Sequence, residues 1–202
     1  MELMKSIREK TVLAVEGKDE VNFFDALLRY LEITGFEIRD VGGKSRFKDK
    51  LPALVKMSGF SDVEALAVIR DADKDANAAF DSVRYVLTKE GLEPPARMNW
   101  FSDGNPVIGI FIMPGDSDRG MLEDLCLRTV KDHPAMECVD IFVDCVSELA
   151  DPPKTLEKAK TQAFLASMPT IVNSIGLGAQ KGYWNFDSSE LSDLVSFIDN
   201  LR

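Results

Sequence analysis

One stretch constrains the fold of this chain more than any other, an apolar run that ends abruptly in three aspartates. Residues Ala65 to Ile69 are apolar, and a run of this length is typical of a buried β-strand. Asp71, Asp73 and Asp75 follow at alternate positions, and a helical pattern of apolar residues then begins. Open α/β sheets bind ligands at the carboxyl ends of their strands. Carboxylates gathered there repel one another unless a cation offsets their charge, so this stretch predicts a site for a hard divalent metal.

The rest of the first part of the chain repeats the same order of strand and helix. Apolar strands are predicted at residues 11–15, 36–41 and 107–113, and each precedes a segment with apolar residues at helical spacing. Together with residues 65–69 they predict an α/β fold with a central, mostly parallel, four-stranded sheet flanked by helices. Residues 91–105 contain several Pro, Gly and Asn residues and are predicted to form a loop.

The pattern changes near residue 133, where helical segments follow one another without strands. Residues 139–149, 156–164 and 191–201 carry apolar residues at helical spacing, whereas residues 170–187 show no clear period. We therefore predict an α/β domain over residues 1–131 and a helical C-terminal extension over residues 132–202 that packs on it.

The charge of the chain limits its partners. The net charge of −10 argues against a protein that coats duplex DNA through bulk charge, but it allows local basic contacts and phosphate contacts through a metal. No apolar run approaches the roughly 20 residues of a membrane span, and the charged amino terminus lacks the apolar core of a signal peptide. We expect a cytoplasmic protein that does not contact membranes.

Cysteine and histidine are too few to carry the chemistry. Cys126, Cys138 and Cys145 do not suit a disulfide framework, and without a CxxC pair a structural zinc site is not expected. We predict that all three are buried thiols. The single histidine, His133, precedes a proline and is assigned to a loop or a helix start.

A second acidic position strengthens the metal hypothesis. Glu16 follows the first predicted strand, and Asp19 is placed to cap the first turn of the next helix. If the two strands are neighbours, Glu16, Asp71 and Asp73 converge on one ion. Mg²⁺ is commonly held by one or two carboxylates together with waters and phosphate oxygens, and such a site promotes phosphoryl chemistry. Asp75 has an alternative role at the helix amino terminus, where the macrodipole favours acidic residues.

Three familiar site types fit the sequence less well. A calcium-binding EF-hand that starts at Asp71 needs Gly and Glu at its sixth and twelfth positions, where this chain has Ala76 and Ser82. Phosphotransferases of the haloacid dehalogenase type also use Asp-x-Asp after a strand, but on the first strand and usually with Thr or Val in place of Asp75. A nucleotide-binding P-loop needs Gly where this chain has Ile38.

Weaker signals point to phosphate or base contacts. The turn Gly42–Ser45, which includes Lys44, either contacts a phosphate through backbone N–H groups and charge or is a plain tight turn. Lys160 and Lys181 are each either a phosphate contact or electrophile, or a solvated lysine. Tyr183 and Trp184 either stack on bases or anchor the C-terminal region to the core.

Two segments resemble the motifs of Toprim domains. Val12–Asp19 resembles their opening motif, a hydrophobic strand followed by Glu-Gly-x-x-Asp, and Ala67–Asp73 resembles their second motif, a strand followed by Asp-x-Asp. The order of the motifs is also similar. Toprim domains occur in topoisomerases, bacterial primases, ribosomal RNA maturases, recombination-repair proteins and overcoming-lysogenization-defect nucleases. Residues 120–125 are reminiscent of stand-alone Toprim-like proteins.

This resemblance implies a compact Toprim-like fold with Mg²⁺, or Mn²⁺ in its place, on Asp71 and Asp73. It implies that Glu16 is an acid/base or a further ligand. In the nuclease branch another acidic residue and a lysine contribute to a two-metal site, for which Glu123 and Lys160 are the candidates. The residues expected near substrate phosphate are Gly17, Lys18 and Lys44.

The chain departs from two branches of that group. The sequence shows no sign of the separate tyrosine-bearing domain with which topoisomerases cleave DNA, so strand passage is not expected, and a zinc-binding domain like that of primases is not expected either. Three hypotheses follow: a metal-dependent phosphodiester hydrolase or nucleotidyl-transfer protein that acts on nucleic acid, a non-catalytic module that binds a nucleotide, nucleic acid or protein, and a small-molecule phosphohydrolase.

Overall fold

A five-stranded sheet forms the centre of the protein. The computed structural model describes residues 6–43 and 46–202. The strands lie in the order β2-β1-β3-β5-β4. Their bounds are Thr11–Val15 (β1), Phe36–Asp40 (β2), Ala65–Asp71 (β3), Trp100–Phe101 (β4) and Val107–Met113 (β5). The first three pairs in that order are parallel, and β4 pairs with β5 in the antiparallel direction. The predicted α/β class and mostly parallel sheet are confirmed.

Helices cover both faces of the sheet. Their bounds are Lys18–Tyr30 (α1), Phe47–Val55 (α2), Ala76–Lys89 (α3), Leu122–Thr129 (α4), Met136–Ser147 (α5), Leu156–Ala166 (α6), Ile175–Gln180 (α7) and Ser192–Asp199 (α8). The residues of β3 alternate between two cores, because successive side chains of a strand point to opposite faces. Ala67 and Ile69 pack with α1 and with the helices from α4 onward. Leu66 and Val68 pack with α2 and α3 on the other face.

The prediction of four strands was wrong, because β4 lies in the segment predicted as a loop. It has only two residues, too few to produce an alternating pattern among the surrounding Pro, Gly and Asn. Backbone hydrogen bonds from Asn99 to Ile110 and from Ser102 to Ile108 hold it against β5. The ring of Phe101 stacks on Phe197 of α8 at 4.6 Å between centroids, so a contact distant in sequence fixes this edge strand.

The C-terminal part is helical, and its helices share a core with α1 and one face of the sheet. The predicted boundary after residue 131 falls between α4 and α5. Helix α7 was not predicted, since it has six residues and two of them, Gly176 and Gly178, are glycines that carry no apolar side chain. Within the described residues, no helix is long and apolar enough to cross a membrane.

The prediction of three buried thiols holds for only one cysteine. Cys126 is buried, whereas Cys138 and Cys145 on α5 are exposed. Helix α5 forms as the spacing predicts, but only Met136 and Val139 of this helix are buried. The apolar stripe of α5 therefore turns mostly outward, which its periodicity cannot reveal.

Candidate functional site at the carboxyl edge of the sheet

The two acidic motifs meet because their strands are neighbours. Strands β1 and β3 pair in parallel, with Ala14 opposite Val68. Glu16 directly follows β1, and Asp71 is the last residue of β3, so both lie at the carboxyl edge of the sheet. Burial raises the pKa of Asp71, and the nearby charge of Glu16 raises it further.

Glu16 is held by an arginine whose role the sequence did not reveal. The Nε atom of Arg70 donates to Oε1 of Glu16 at 2.8 Å. The side chains are only 4% and 15% exposed, so this is a nearly buried ion pair. The guanidinium also lies over the ring of Phe47, at 4.6 Å from its centroid. These two contacts fix the position of the Glu16 carboxylate.

Asp71 is the most perturbed carboxyl group at this edge. Desolvation raises the pKa of Asp71 well above its ordinary value, and three nearby carboxylates raise it further. These are Glu16, Glu123 and Glu20. One opposing contact is a hydrogen bond of 2.9 Å from the backbone N–H of Leu122 to Oδ1, at the start of α4. The site therefore holds like charges that a bound cation would relieve.

Two glutamates in the first turns of helices complete the cluster. Burial is the main cause that raises the pKa of Glu20 in α1, and the charges of Asp19 and Glu16 add to it. Burial likewise raises the pKa of Glu123 in α4, which also lies 3.7 Å from the ammonium of Lys158. We name Glu16, Glu20, Asp71 and Glu123 the acidic cluster. Glu123 was predicted for this site, whereas Glu20, four residues after Glu16 and in the first turn of α1, was missed.

Asp19 does not cap α1 as the sequence suggested. The N-cap of α1 is Gly17, without a side-chain cap. The carboxylate of Asp19 instead accepts hydrogen bonds of 3.0 and 2.6 Å from the backbone N–H groups of Ile175 and Gly176 at the start of α7. Helices α1 and α7 approach closely, since a Cβ on Gly176 would lie 2.5 Å from Cβ of Asn22. The Asp19 carboxylate thus binds backbone groups more than 150 residues away instead of capping α1.

Asp73 and Asp75 lie on a turn that leads away from the strand. Asp73 has φ 53°, in the left-handed region, and exchanges backbone hydrogen bonds of 2.9 and 3.0 Å with Gly120. Asp75 is the N-cap of α3, and its side chain accepts from the backbone N–H of Ala78 at 2.9 Å. The alternative role of Asp75 at a helix amino terminus is the one that the structure shows.

Two clefts meet at this turn and share Asp73 and Lys74. The smaller, about 270 Å³, is also lined by Lys48 and Arg70. The larger, about 780 Å³, contains four basic residues together with Asp124 and Glu157. The basic residues of the larger cleft are Lys74, Arg119, Arg128 and Lys154. The edge of the sheet therefore carries several basic side chains beside the acidic cluster, interleaved with carboxylates such as Asp73, in a chain whose net charge is −10.

The remaining predicted residues are spread more widely. Lys18 is exposed at the start of α1. A Cβ on Gly17 would lie 3.0 Å from Oε2 of Glu20, so the absence of a side chain leaves room for that carboxylate. Lys160 forms an ion pair of 2.5 Å with Asp140, whereas the lysine beside Glu123 is Lys158. Lys44 lies outside the described residues.

The aromatic residues near the carboxyl terminus serve as anchors. Trp184 is buried, stacks on Phe164 and donates from Nε1 to the carbonyl of Ile175 at 2.9 Å. The hydroxyl of Tyr183 donates to the carbonyl of Thr170 at 2.9 Å. His133 lies between α4 and α5, and its Nδ1 accepts from the backbone N–H of Ala135. It therefore takes the loop role expected of it.

The acidic cluster suits a hard cation in kind, since every side-chain donor is a carboxylate oxygen. Within residues 6–43 and 46–202, no group of three or more His, Cys, Asp or Glu side chains is arranged to hold a metal ion. Magnesium usually retains several waters and binds through one or two protein carboxylates, so it does not require such a cage. The donor chemistry fits Mg²⁺ or Mn²⁺.

Comparisons with known proteins place the fold. A family model described as "Protein of unknown function (DUF3226)" matches residues 10–202. No curated protein matches the chain. The C-terminal region of the Burkholderia pseudomallei OLD protein is 16% identical and superposes with a TM-score of 0.50, covering 97% of this chain and 100% of that one. The corresponding region of the Xanthomonas campestris pv. campestris OLD protein is 13% identical, with a TM-score of 0.47 and coverage of 96% and 94%.

Proposed function

The chain belongs to the DUF3226 family, and we propose that it is a Toprim-like phosphodiester hydrolase that acts on nucleic acid with Mg²⁺ or Mn²⁺. One observation carries the proposal. Asp71, at the end of a central strand, has its pKa raised by burial and by three surrounding carboxylates. Such repulsion is costly in a folded protein, and perturbed acidic groups of this kind concentrate at functional sites.

The cluster residues divide into two roles in this proposal. Asp71 and Glu123 would supply oxygens to the metal, and Glu20 would add negative charge nearby. Glu16, oriented by Arg70, acts on the attacking water or on the leaving oxygen. A bound divalent ion polarises a phosphoryl oxygen and lowers the pKa of a coordinated water.

The clefts beside Asp73 give a path for the phosphate backbone. Lys74 lies at their junction, with Lys48 in the smaller cleft and Arg119 and Lys154 in the larger. These side chains attract phosphates locally, although the protein as a whole is acidic. Asp73 lines both clefts, so it would be available to a metal ion or to a substrate bound there.

Two further observations support the proposal. The motifs at Glu16 and at Asp71 and Asp73 resemble those of Toprim domains, which include the overcoming-lysogenization-defect (OLD) nucleases. The fold is similar to that of the C-terminal region of an OLD protein. The order of the motifs and the fold are separate properties of the chain, and both point to the same group.

The test is hydrolysis of labelled single-stranded DNA, duplex DNA and RNA with Mg²⁺, Mn²⁺ or EDTA. We expect metal-dependent cleavage of at least one polynucleotide and a loss of at least about 100-fold in Asp71→Asn, since a metal ligand supplies several kcal/mol of transition-state stabilisation. Asp81→Asn, which changes an exposed carboxylate on α3, is the matched control and retains wild-type activity. Circular dichroism verifies that both variants fold.

Two results would contradict the hydrolase. One is the absence of metal-dependent cleavage of every polynucleotide, and the other is full activity in Asp71→Asn. Turnover of a generic phosphomonoester alone would instead identify a small-molecule phosphohydrolase.

One observation favours a second candidate, a non-catalytic module that binds nucleic acid. Arg70 occupies one oxygen of Glu16 in a nearly buried ion pair, which is a stable resting arrangement for a binding surface. Such a module would retain labelled polynucleotide without cleaving it. Its binding would weaken in Lys74→Gln and remain unchanged in Asp71→Asn.

A further inference from the structure

A cavity of about 630 Å³ lies at the opposite end of the molecule from the acidic cluster. Helix α1 starts beside Glu16 and ends at Tyr30, which lines the cavity, and α4 starts beside Asp71 and ends at Thr129, which also lines it. Because a helix rises about 1.5 Å per residue, α1 carries the chain roughly 18 Å between these two places. The cavity is therefore separate from the proposed hydrolase site.

Aromatic rings form part of the cavity wall. Tyr30, Tyr183 and Phe186 line it. The rings of Tyr30 and Phe186 meet edge to face at 5.4 Å, and Phe186 also packs on Phe23 at 5.7 Å. Tyr183 is held by the hydrogen bond from its hydroxyl to the carbonyl of Thr170. These rings are therefore fixed before any ligand arrives, and about half of the Tyr30 surface, 49%, remains exposed.

Apart from one histidine, His133, and the tyrosines, the ionisable side chains that line the cavity are two carboxylates. Asp132 and Asp187 line it, and the described residues of its wall include no lysine or arginine. The nearby cations Arg29 and Lys131 are engaged by Asp25 and Glu190, and Lys181 is exposed at the end of α7. Interaction with the Asp187 side chain is the main cause that raises the pKa of Tyr30.

Helix dipoles add to this potential. The carboxyl ends of α1 and α4 border the cavity, and Gly182 and Tyr183, which follow α7, line it as well. The carboxyl end of a helix carries about half a negative charge, which favours a cation within the last turn. Carboxylates, aromatic faces and helix carboxyl ends all attract a cation, and the described wall contains no lysine or arginine.

We propose that this cavity binds a small organic cation with an alkylammonium head group. The positive head group sits over the faces of Tyr30 and Phe186, where the ring quadrupole attracts it, and Asp187 balances its charge. The volume falls within the range of ligand pockets, about 300–1,000 Å³. This site does not depend on the proposed hydrolase, and the two can fail separately.

Choline is the probe, and its uncharged carbon isostere, dimethylbutanol, is the matched control. Amide chemical shifts of the isotope-labelled protein are followed during each titration. We expect choline to shift the amides of residues 182–187 in a saturable manner and the isostere to bind at least about threefold more weakly, since cation–π attraction is lost. Equal binding of the two compounds, or shifts outside the cavity, would overturn the proposal.

Variants separate the cavity from general surface effects. Tyr30→Leu is expected to weaken choline about three- to tenfold, whereas Tyr85→Leu, which removes an exposed tyrosine from α3, leaves it unchanged. Acetyl-trimethyllysine amide presents the same head group on a protein side chain, so tighter binding of this compound than of choline would identify a side chain as the source. No effect of Tyr30→Leu would show that the rings do not form the site.

Discussion

The two ends of helices α1 and α4 place carboxylates in opposite electrostatic surroundings. At the amino ends, Glu20 and Glu123 lie in the first turns, and Asp71 accepts a backbone N–H of α4. At the carboxyl ends, Asp132 and Asp187 are exposed at the aromatic cavity. The amino end of a helix favours negative charge and the carboxyl end opposes it.

The two ends of these helices therefore attract a cation for different physical reasons. In the acidic cluster, favourable dipoles are outweighed by burial and repulsion, and the pKa of Asp71 is raised. At the cavity, water screens the carboxylates, so their repulsion is weak and the pull on a cation comes from aromatic faces and helix ends. The first environment suits a compact metal ion, and the second suits a larger organic cation.

The largest expected effect lies at the ion pair inside the acidic end. Arg70→Met removes the partner of Glu16 and leaves a nearly buried carboxylate unpaired, so we expect a loss of about 3–5 kcal/mol in the free energy of unfolding by urea. The double variant Glu16→Gln/Arg70→Met should recover most of it. Lys131→Met breaks an exposed ion pair at the cavity end and should have a far smaller effect. Equal losses at the two ends would contradict the comparison.

The next largest expected effect is a gain in protein stability when the charge of Asp71 is removed. Asp71→Asn keeps an acceptor for the Leu122 N–H but removes the desolvated negative charge, so in EDTA we expect a gain of roughly 1–2 kcal/mol at neutral pH. The raised pKa means that folded Asp71 holds its proton more tightly than the unfolded chain does. The contribution of Asp71 to the free energy of unfolding is therefore fully favourable below its ordinary pKa of 3.8. That contribution is lost as the pH rises toward the pKa of Asp71 in the folded state. The gain should accordingly vanish near pH 4; a gain independent of pH would show another cause.

A smaller effect is expected where the acidic motif leaves the strand. Asp75→Ala removes the N-cap of α3 and should cost about 1 kcal/mol in the free energy of unfolding. Metal-dependent hydrolysis should remain within about threefold of wild type, because Asp75 caps a helix in this account. Asp75→Asn is the control that preserves capping. Loss of hydrolysis in both variants would place Asp75 in the acidic site after all.

The smallest effect concerns the cavity end. Asp187→Asn should leave the melting temperature nearly unchanged, since this carboxylate is exposed. It should lower the pKa of Tyr30 toward its ordinary value, because interaction with the Asp187 side chain is the main cause of the raised value. Phenolate absorbance during an alkaline titration measures this shift, with Tyr30→Phe as the reference. An unchanged pKa of Tyr30 would show that the Asp187 carboxylate does not act on Tyr30 in the cavity.

The chain order of apolar runs and acidic ends was enough to predict most of the sheet. The runs that end at Val15, Ile69 and Met113 each match a strand to within two residues. The acidic residues that follow these strands lie at one edge of the sheet, because the carboxyl ends of parallel strands all lie on the same side. The convergence of Glu16 and Asp71 required that β1 and β3 be neighbours, and the register of the two strands confirms that they pair.

What the sequence could not reveal depends on contacts between distant residues. Arg70 is one of many arginines until Glu16 and Phe47 are seen beside it. Asp19 had a plausible local cap but takes the backbone of α7 instead. Strand β4 and helix α7 are too short for any period, and tertiary packing rather than pattern fixes them.

The most direct test of the acidic cluster is calorimetric titration of the protein with Mg²⁺ and Mn²⁺, together with urea unfolding at saturating metal. We predict saturable binding, with stabilisation of about 2.7 kcal/mol at a free metal concentration one hundred times the dissociation constant. Asp71→Asn should lose both the binding heat and the stabilisation, whereas Asp81→Asn should keep them. If the wild type takes up neither ion, or if Asp71→Asn binds as tightly as the wild type, the cluster is not a metal centre.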